Sequence, residues 1–356
     1  MLIVDDSAVV RGILGRIVDG APDMRVVTTA CNGRDAIDAL RLHPADVVLL
    51  DIEMPVMDGL TALPRLLAQS PGVRILVASS ITRQGATITM RALSLGAVDY
   101  VHKPSTRTGL VAGLEEVGLE IVQKIRAIAH RDPAELQGIA AAARQQAAPA
   151  TSATSATSVG EFEPQVLALA ASTGGPNALS SVISALPGDF PLPILVTQHM
   201  PPIFTTMFAQ RLAREGRLPC AEAVDGEALE PGRVYVAPGD HHLTIRQAGV
   251  TRTPTVQITR DPPEHHCRPA ADPMFRSAAR AFGAGVLGVV LTGMGEDGRR
   301  GCEAIVKAGG RVIVQDEATS VVWGMPGSIV AAGVPCTVLP LGAIAAHVNS
   351  LCCVRS

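Results

Sequence analysis

Short apolar runs that each stop at a polar residue, with helical stretches between them, recur in both halves of this chain, and no other feature restricts its fold so strongly. Leu2-Ile3-Val4 ends at Asp5-Asp6, and Ser7 is placed to cap a helix reaching about Asp19. Arg25–Ala30 and Val47–Leu50 predict further strands, with a helix over Arg34–Leu42 between them, and Asp51 closes the third run. Val73–Ala78 ends at Ser79, and Val98–Val101 runs into His102-Lys103-Pro104. Strand and helix in alternation predict a parallel sheet covered by helices. The polar groups all fall at strand ends, on the edge where open α/β sheets bind ligands. Three carboxylates there, Asp5, Asp6 and Asp51, repel one another unless a hard divalent cation sits among them, and Mg²⁺ suits such oxygen ligands.

The second half repeats the pattern with different chemistry. Val166–Ala170 has the length of a buried strand, Gly174 and Gly175 stop it, Pro176 suits a first helical turn, and Ala178–Leu186 read as that helix. Ser172 therefore falls at a strand-to-helix turn, as in the nucleophile elbow of hydrolases, although Ala170 replaces the first glycine of G-x-S-x-G. A helix N-cap is the competing role for Ser172. Pro193–Thr197 ends at Gln198-His199-Met200-Pro201, and Val286–Leu291 ends at Thr-Gly-Met-Gly-Glu-Asp-Gly, residues 292–298. A helix from about Arg300 to Ala308 and a strand at Arg311–Gln315 follow. Val234–Ala237 and Leu243–Ile245 flank the Pro238–Asp240 turn and read as a hairpin. The fold class is α/β in both halves, the second a doubly wound, mostly parallel sheet with a hairpin.

Ser172, His199 and Asp297 then stand on three strand-end loops of one sheet. A serine hydroxyl is a weak nucleophile unless a base takes its proton, histidine has the right basicity, and a carboxylate fixes the ring tautomer. The turn Gly293-Met294-Gly295 can aim backbone amides at an oxyanion; the Met294 amide is the candidate donor and Thr173 a second.

At 356 residues the chain is too long for one ordinary core. Leu110–Ala129 has helical spacing, Ile139–Ala150 is rich in alanine and glutamine, and Thr151–Ser158 is a Thr-Ser-Ala repeat with nothing to bury. This places a first domain at 1–125, a flexible linker at 126–163 and a second domain at 164–350. A net charge of -3 and 3% aromatic content argue against a nucleic-acid surface. Without a long apolar run or a secretory pattern, the expectation is a cytoplasmic protein not inserted in a membrane. The seven cysteines form no CxxC pair and are expected to be mostly small buried residues.

The first set of residues, Asp5-Asp6, Asp51 before Met-Pro-Val-Met-Asp-Gly, Ser79 and Lys103-Pro104, resembles the receiver domain of bacterial response regulators. The resemblance implies a flavodoxin-like (βα)5 fold in which Asp51 is phosphorylated, Asp5, Asp6 and Asp51 hold Mg²⁺, Ser79 senses the phosphate and Lys103 neutralises it. The few residues ahead of Asp5 leave a short first strand, whose fraying would weaken that site. Ala-Ser-Thr-Gly-Gly-Pro at 171–176, Gln-His-Met-Pro at 198–201, His-Cys-Arg-Pro at 266–269, the 291–298 loop and Trp-Gly-Met-Pro at 323–326 resemble the catalytic domain of chemotaxis protein-glutamate methylesterases. This resemblance implies demethylation of glutamate methyl esters, and often deamidation of glutamines, on chemoreceptor signalling domains through a Ser172 acyl-enzyme that needs no cofactor. It also implies a receiver that covers the esterase cleft until the chemotaxis histidine kinase phosphorylates Asp51.

Other readings compete. Gly293-Met-Gly295-Glu-Asp-Gly298 follows a strand and opens a helix, as a dinucleotide fingerprint does, with Asp316 as ribose-binding acid. Glu296 and Asp297 would then oppose the pyrophosphate. His241-His242 and His265-His266-Cys267 raise a metallohydrolase, at spacings unlike those of zinc ligands. Arg268 is a candidate for orienting a receptor segment or for a structural ion pair. A non-catalytic docking module is the remaining alternative.

Overall fold

A computed structural model describes residues 1–103, 112–129, 162–247 and 254–352. The chain divides into two compact units, Met1–Arg131 and Asp132–Ser356. The helix Ala112–Ala129 carries the first unit past residue 125. Most of the expected linker, 130–161, lies outside the described residues, as do Leu110 and Pro104.

In the first unit β1 (Leu2–Val4), β2 (Thr28–Ala30), β3 (Val47–Asp51), β4 (Arg74–Ser79) and β5 (Asp99–His102) form a parallel sheet in the order β2-β1-β3-β4-β5. Side chains set where the intervening helices begin: Ser7 accepts from the Val10 amide, Asn32 from Arg34 and Asp35, Asp58 from Thr61, and Thr82 from Gly85. β1 is short, yet it does not fray. It is paired on both sides, Ile3 against Thr29 and Leu49, and its three residues are buried, because in this strand order it occupies an interior position. The second strand is shorter than expected, Arg25–Val27 lying before its paired residues.

In the second unit β6 (Val166–Ala171), β7 (Ile194–Gln198), β8 (Cys220–Glu222), β9 (Val234–Val236), β10 (His242–Arg246), β11 (Thr255–Thr259), β12 (Val286–Val290), β13 (Arg311–Gln315) and β14 (Thr337–Leu339) follow one another. Seven of them form a parallel sheet ordered β14-β13-β12-β6-β7-β9-β8. The chain starts at the centre with β6, builds outward on one side, then returns to place β12 against the other side of β6. That reversal opens a crevice at the carboxyl ends of β12, β6 and β7.

The hairpin lies elsewhere than the Pro238–Asp240 turn indicates. β9 pairs in parallel with β7 and β8, whereas β10 pairs antiparallel with β11, Leu243 opposite Ile258. All three residues of β9 are buried, as suits the interior of a parallel sheet, so the turn redirects the chain instead of folding it back. The helix after β6 begins at Gly175. Its N-cap is Gly174 in the left-handed region, with no side-chain cap, so Ser172 does not cap it. The core carries Val166, Ala168, Ala170, Leu195, Tyr235, Phe275 and Val290. Among the described cysteines only Cys302 is fully buried and Cys31 is exposed, because most lie on short edge strands, turns and helix ends instead of the central strands. Among the described residues no helix is long and apolar enough to cross a membrane.

Candidate functional site

Two polar constellations stand at strand ends, one in each unit. In the first, Asp51 closes β3, Asp5 follows β1, Ser79 closes β4 and Lys103 follows β5. The Lys103 Nζ lies 2.6 Å from Asp51 Oδ2 and 3.1 Å from Asp5 Oδ2. Asp51, Ser79 and Lys103 line one small pocket with Ile52 and Gly85. The Ser79 hydroxyl accepts from Thr89 Oγ1 at 2.7 Å. Burial pushes the Asp51 carboxyl above its usual range, with Asp5 adding to the shift and Lys103 opposing it. Asp5 and Asp51 are buried, whereas Asp6 is exposed. Oxygens of Asp5, Asp6 and Asp51 lie within 4.8 Å of one another. Among the described residues Asp5 Oδ2 and Asp51 Oδ2 both face the Lys103 ammonium. An all-oxygen set of three carboxylates this close together fits a hard divalent cation.

In the second unit Ser172 follows β6, His199 follows β7 and Asp297 lies in the loop after β12. The structure draws the three into a line: Ser172 Oγ is 3.1 Å from His199 Nδ1, and His199 Nε2 is 2.7 Å from Asp297 Oδ2. Asp297 is 1% exposed. Burial works against its charge, but the ring and the Ala271 and Asp272 amides keep its carboxyl below the usual range. Those amides open the helix Ala271–Phe282 and donate at 2.6 and 3.0 Å, so Asp297 also sits where the helix dipole favours an anion. An ionised carboxylate can only accept, which fixes a proton on Nε2 and makes Nδ1 the nitrogen that faces the serine.

The backbone around the serine is pinned from several directions. Ser172 N donates to Thr292 O, and the Thr292 hydroxyl donates to the carbonyl of Thr173, itself buried. Gln198 Nε2 donates to the carbonyls of Ser172 at 2.9 Å and of His199 at 3.3 Å. The turn bearing Met294 is clamped by the segment around Trp323: Gly293 N donates to Val322 O, and Met325 N to Gly293 O. Gly293 must lack a side chain. A Cβ there would collide with Met325 Sδ and stand 2.9 Å from Ser172 Cβ. Gly293→Ala is expected to displace this turn from the serine and lower kcat about 10²-fold, the usual consequence of a shift near 1 Å, with little change in KM. Steady-state kinetics on the folded variant check this.

Several residues singled out in the sequence serve other ends. Glu296 is exposed and pairs with Arg299. Asp272 Oδ1 accepts from Gly301 N at 2.6 Å in the first turn of the helix Arg299–Lys307, so a buried carboxylate already occupies the place a pyrophosphate would take. His242 bonds Pro262 O and Ala270 N, and His241 bonds Gly239 O. His265, Asp272 and Asp297 cluster, but every carboxylate oxygen among them has a donor, Asp272 Oδ2 taking His265 Nε2 at 2.9 Å. Arg268 is held by Asp240 and the carbonyls of Arg260 and Asp261, the arrangement of a structural ion pair. Gln198 and Cys267 stand in motifs of the esterase resemblance, but the sequence assigns neither a role at the site. Gln198 is adjacent to His199. Cys267, whose Sγ lies 3.5 Å from His199 Nδ1, arrives from a turn that no strand-end rule locates.

A family model described as CheB methylesterase matches residues 167–348, and one described as response regulator receiver domain matches residues 1–115. A protein-glutamate methylesterase/protein-glutamine glutaminase of Azospirillum brasilense is 47% identical, over 98% of this chain and 91% of that protein. A group 2 operon counterpart in Rhodospirillum centenum is 46% identical, over 100% of this chain and 94% of that protein. The crystal structure of the Thermotoga maritima CheB methylesterase catalytic domain matches with a TM-score of 0.51 at 39% identity, covering 53% of this chain and 99% of that one.

Proposed function

The chain belongs to the CheB methylesterase family, with a response regulator receiver domain ahead of the esterase, and we propose that it works through a Ser172–His199–Asp297 acyl-enzyme under the control of Asp51. The activity is hydrolysis of protein glutamate methyl esters, with glutamine deamidation beside it, in chemotaxis adaptation. The observation that carries the mechanism is the unbroken line of hydrogen bonds, 3.1 and 2.7 Å, from hydroxyl to ring to buried carboxylate.

In this reading His199 Nδ1 takes the Ser172 proton as Oγ attacks the ester carbonyl carbon. The tetrahedral oxyanion is met by backbone amides, Met294 first, with Thr173 contributing; each such donor is worth about 2.7–4 kcal/mol. The imidazolium returns its proton to the leaving oxygen, the C–O bond breaks and methanol departs. Water then attacks the acyl-enzyme with His199 again as base, which frees Ser172 and leaves a glutamate carboxylate. With a glutamine the same steps release ammonia. Asp297 keeps the Nε2 proton in place and offsets the ring's transient charge.

Control lies in the receiver. Asp5, Asp6 and Asp51 would hold Mg²⁺, which when bound would supply positive charge against the phosphoryl oxygens. Asp51 is the acceptor, Lys103 pairs with the added charge, and the Ser79 hydroxyl donates to a phosphoryl oxygen. The partners are methylated chemoreceptor signalling domains and a chemotaxis histidine kinase, and the setting is cytoplasmic. Asp51→Asn is expected to leave the basal rate of methanol release while abolishing its stimulation by a small phosphodonor with Mg²⁺. Stimulation that survives in this variant overturns the assignment of Asp51.

A further inference from the structure

Cys267 reaches the catalytic ring by an unusual route. Glu264 and Cys267 exchange backbone hydrogen bonds at 3.1 and 2.8 Å across a two-residue turn. The central residues, His265 and His266, have φ of +52° and +61°. Such turns favour Asn-Gly, because left-handed backbone is unfavourable for residues with a bulky side chain. The turn is nonetheless anchored on every side. Glu264 makes a two-pronged pair with Arg276, His265 bonds Asp272, and Arg268 bonds Asp240. What this strained and anchored turn delivers is the Cys267 Sγ, 3.5 Å from the same Nδ1 that Ser172 Oγ approaches at 3.1 Å.

One nitrogen with one proton or one lone pair cannot serve both neighbours at once. We propose that Cys267 is a positioning residue that competes with Ser172 for His199 Nδ1, sharing a proton with the ring and so rationing the access of the serine to its base. When the ring is cationic and the sulfur is a thiolate, the sulfur accepts Nδ1–H; transfer breaks the Nδ1–H bond, forms the S–H bond and leaves a neutral ring beside a thiol, and no other group changes. The titratable groups facing the ring are Asp297 on Nε2 and Cys267 on Nδ1, with His265 and Asp272 behind Asp297. Burial opposes the ring's charge, but Cys267 and Asp297 together hold His199 protonated above its ordinary range. The sign follows: free base, and with it esterase activity, rises as pH rises, and removing the sulfur moves that rise to lower pH.

This inference rests on the Ser172–His199–Asp297 reading, and the test separates the two. The pH dependence of kcat/KM for methanol release, and of Ser172 labelling by a serine-directed phosphonate, is measured on the full-length protein, on Cys267→Ala and on Cys267→Ser. In both variants the acid limb is expected to move down by on the order of one pH unit, with labelling on that limb about tenfold faster. Cys267→Ser keeps a neutral hydrogen-bonding group that is too weak an acid to share the proton, and it carries the test if the alanine variant does not fold. An acid limb that stays in place in Cys267→Ser overturns the proposal. If Ser172→Ala retains activity, the triad reading falls first; if Ser172→Ala is inactive and the Cys267 variants keep the original limb, only the role of Cys267 falls.

Discussion

Replacing Ser172 with alanine is expected to lower kcat for methanol release by about 10⁶-fold while leaving KM within a few-fold, as removal of the nucleophile does in other serine hydrolases. The size follows from what is lost. The ring and its carboxylate remain, but no covalent intermediate can form, and the residual rate, about 10³- to 10⁴-fold over water, comes from oxyanion donors and substrate positioning alone. Since Oγ acts in the chemistry and contributes little to ground-state binding, substrate affinity survives. Ser172 lies on a turn whose backbone is held by Thr292 and Gln198, so the variant is expected to fold. Adding His199→Ala should cost almost nothing further, because a base without a nucleophile has no proton to take. Ammonia release from glutamine must fall in parallel. A Ser172→Ala protein that keeps more than about a hundredth of the rate is incompatible with an acyl-enzyme on this residue, given the losses seen when triad serines are removed.

What could be read from the sequence, and what could not, divides along a physical line. A parallel strand buried on both faces is a short apolar run, and the first polar residue after it marks the carboxyl edge. That local rule is enough to put Asp5, Asp51, Ser79 and Lys103 at one sheet edge and Ser172, His199 and Asp297 at another. It fails where pairing is decided by distant partners. Val234–Val236 and His242–Arg246 flank a good turn signal, yet one joins the large sheet and the other pairs with Thr255–Thr259, since burying the apolar β9 against β7 outweighs closing a local hairpin. It also fails for groups that enter from loops. Cys267 and Asp272 belong to the turn 264–267 and the helix start at Ala271, and only the packing of that helix on Arg299–Lys307, where Gly301 leaves no room for a Cβ beside Phe275, brings them in. The choice of ring nitrogen, Nδ1 toward serine and Nε2 toward aspartate, has no signature in spacing at all.

Asp297→Asn is expected to reduce kcat by about 10⁴-fold with a near-normal KM, the loss found when an asparagine leaves triad geometry intact but imposes the wrong ring tautomer. The hydrogen-bond inventory here makes the case acute. Asp297 accepts three N–H groups: His199 Nε2–H and Ala271 N–H on Oδ2, and Asp272 N–H on Oδ1. An asparagine has one acceptor oxygen and an NH₂ that must point at one of these donors. If the NH₂ faces the ring, it also opposes the Ala271 amide, His199 must turn to the tautomer with its proton on Nδ1, and Nδ1 can no longer take the serine proton. If it faces the Asp272 amide instead, two N–H groups oppose each other in a buried site, at a cost of about 1–3 kcal/mol, and the ring still loses the negative charge that stabilises its protonated form. Both arrangements remove a carboxylate from the start of the helix Ala271–Phe282, so thermal unfolding should shift down as well. Measuring kcat, KM and the unfolding midpoint together checks both expectations. A loss of kcat under about 100-fold would leave Asp297 a structural cap of its helix, far from the 10⁴-fold expected of a triad carboxylate.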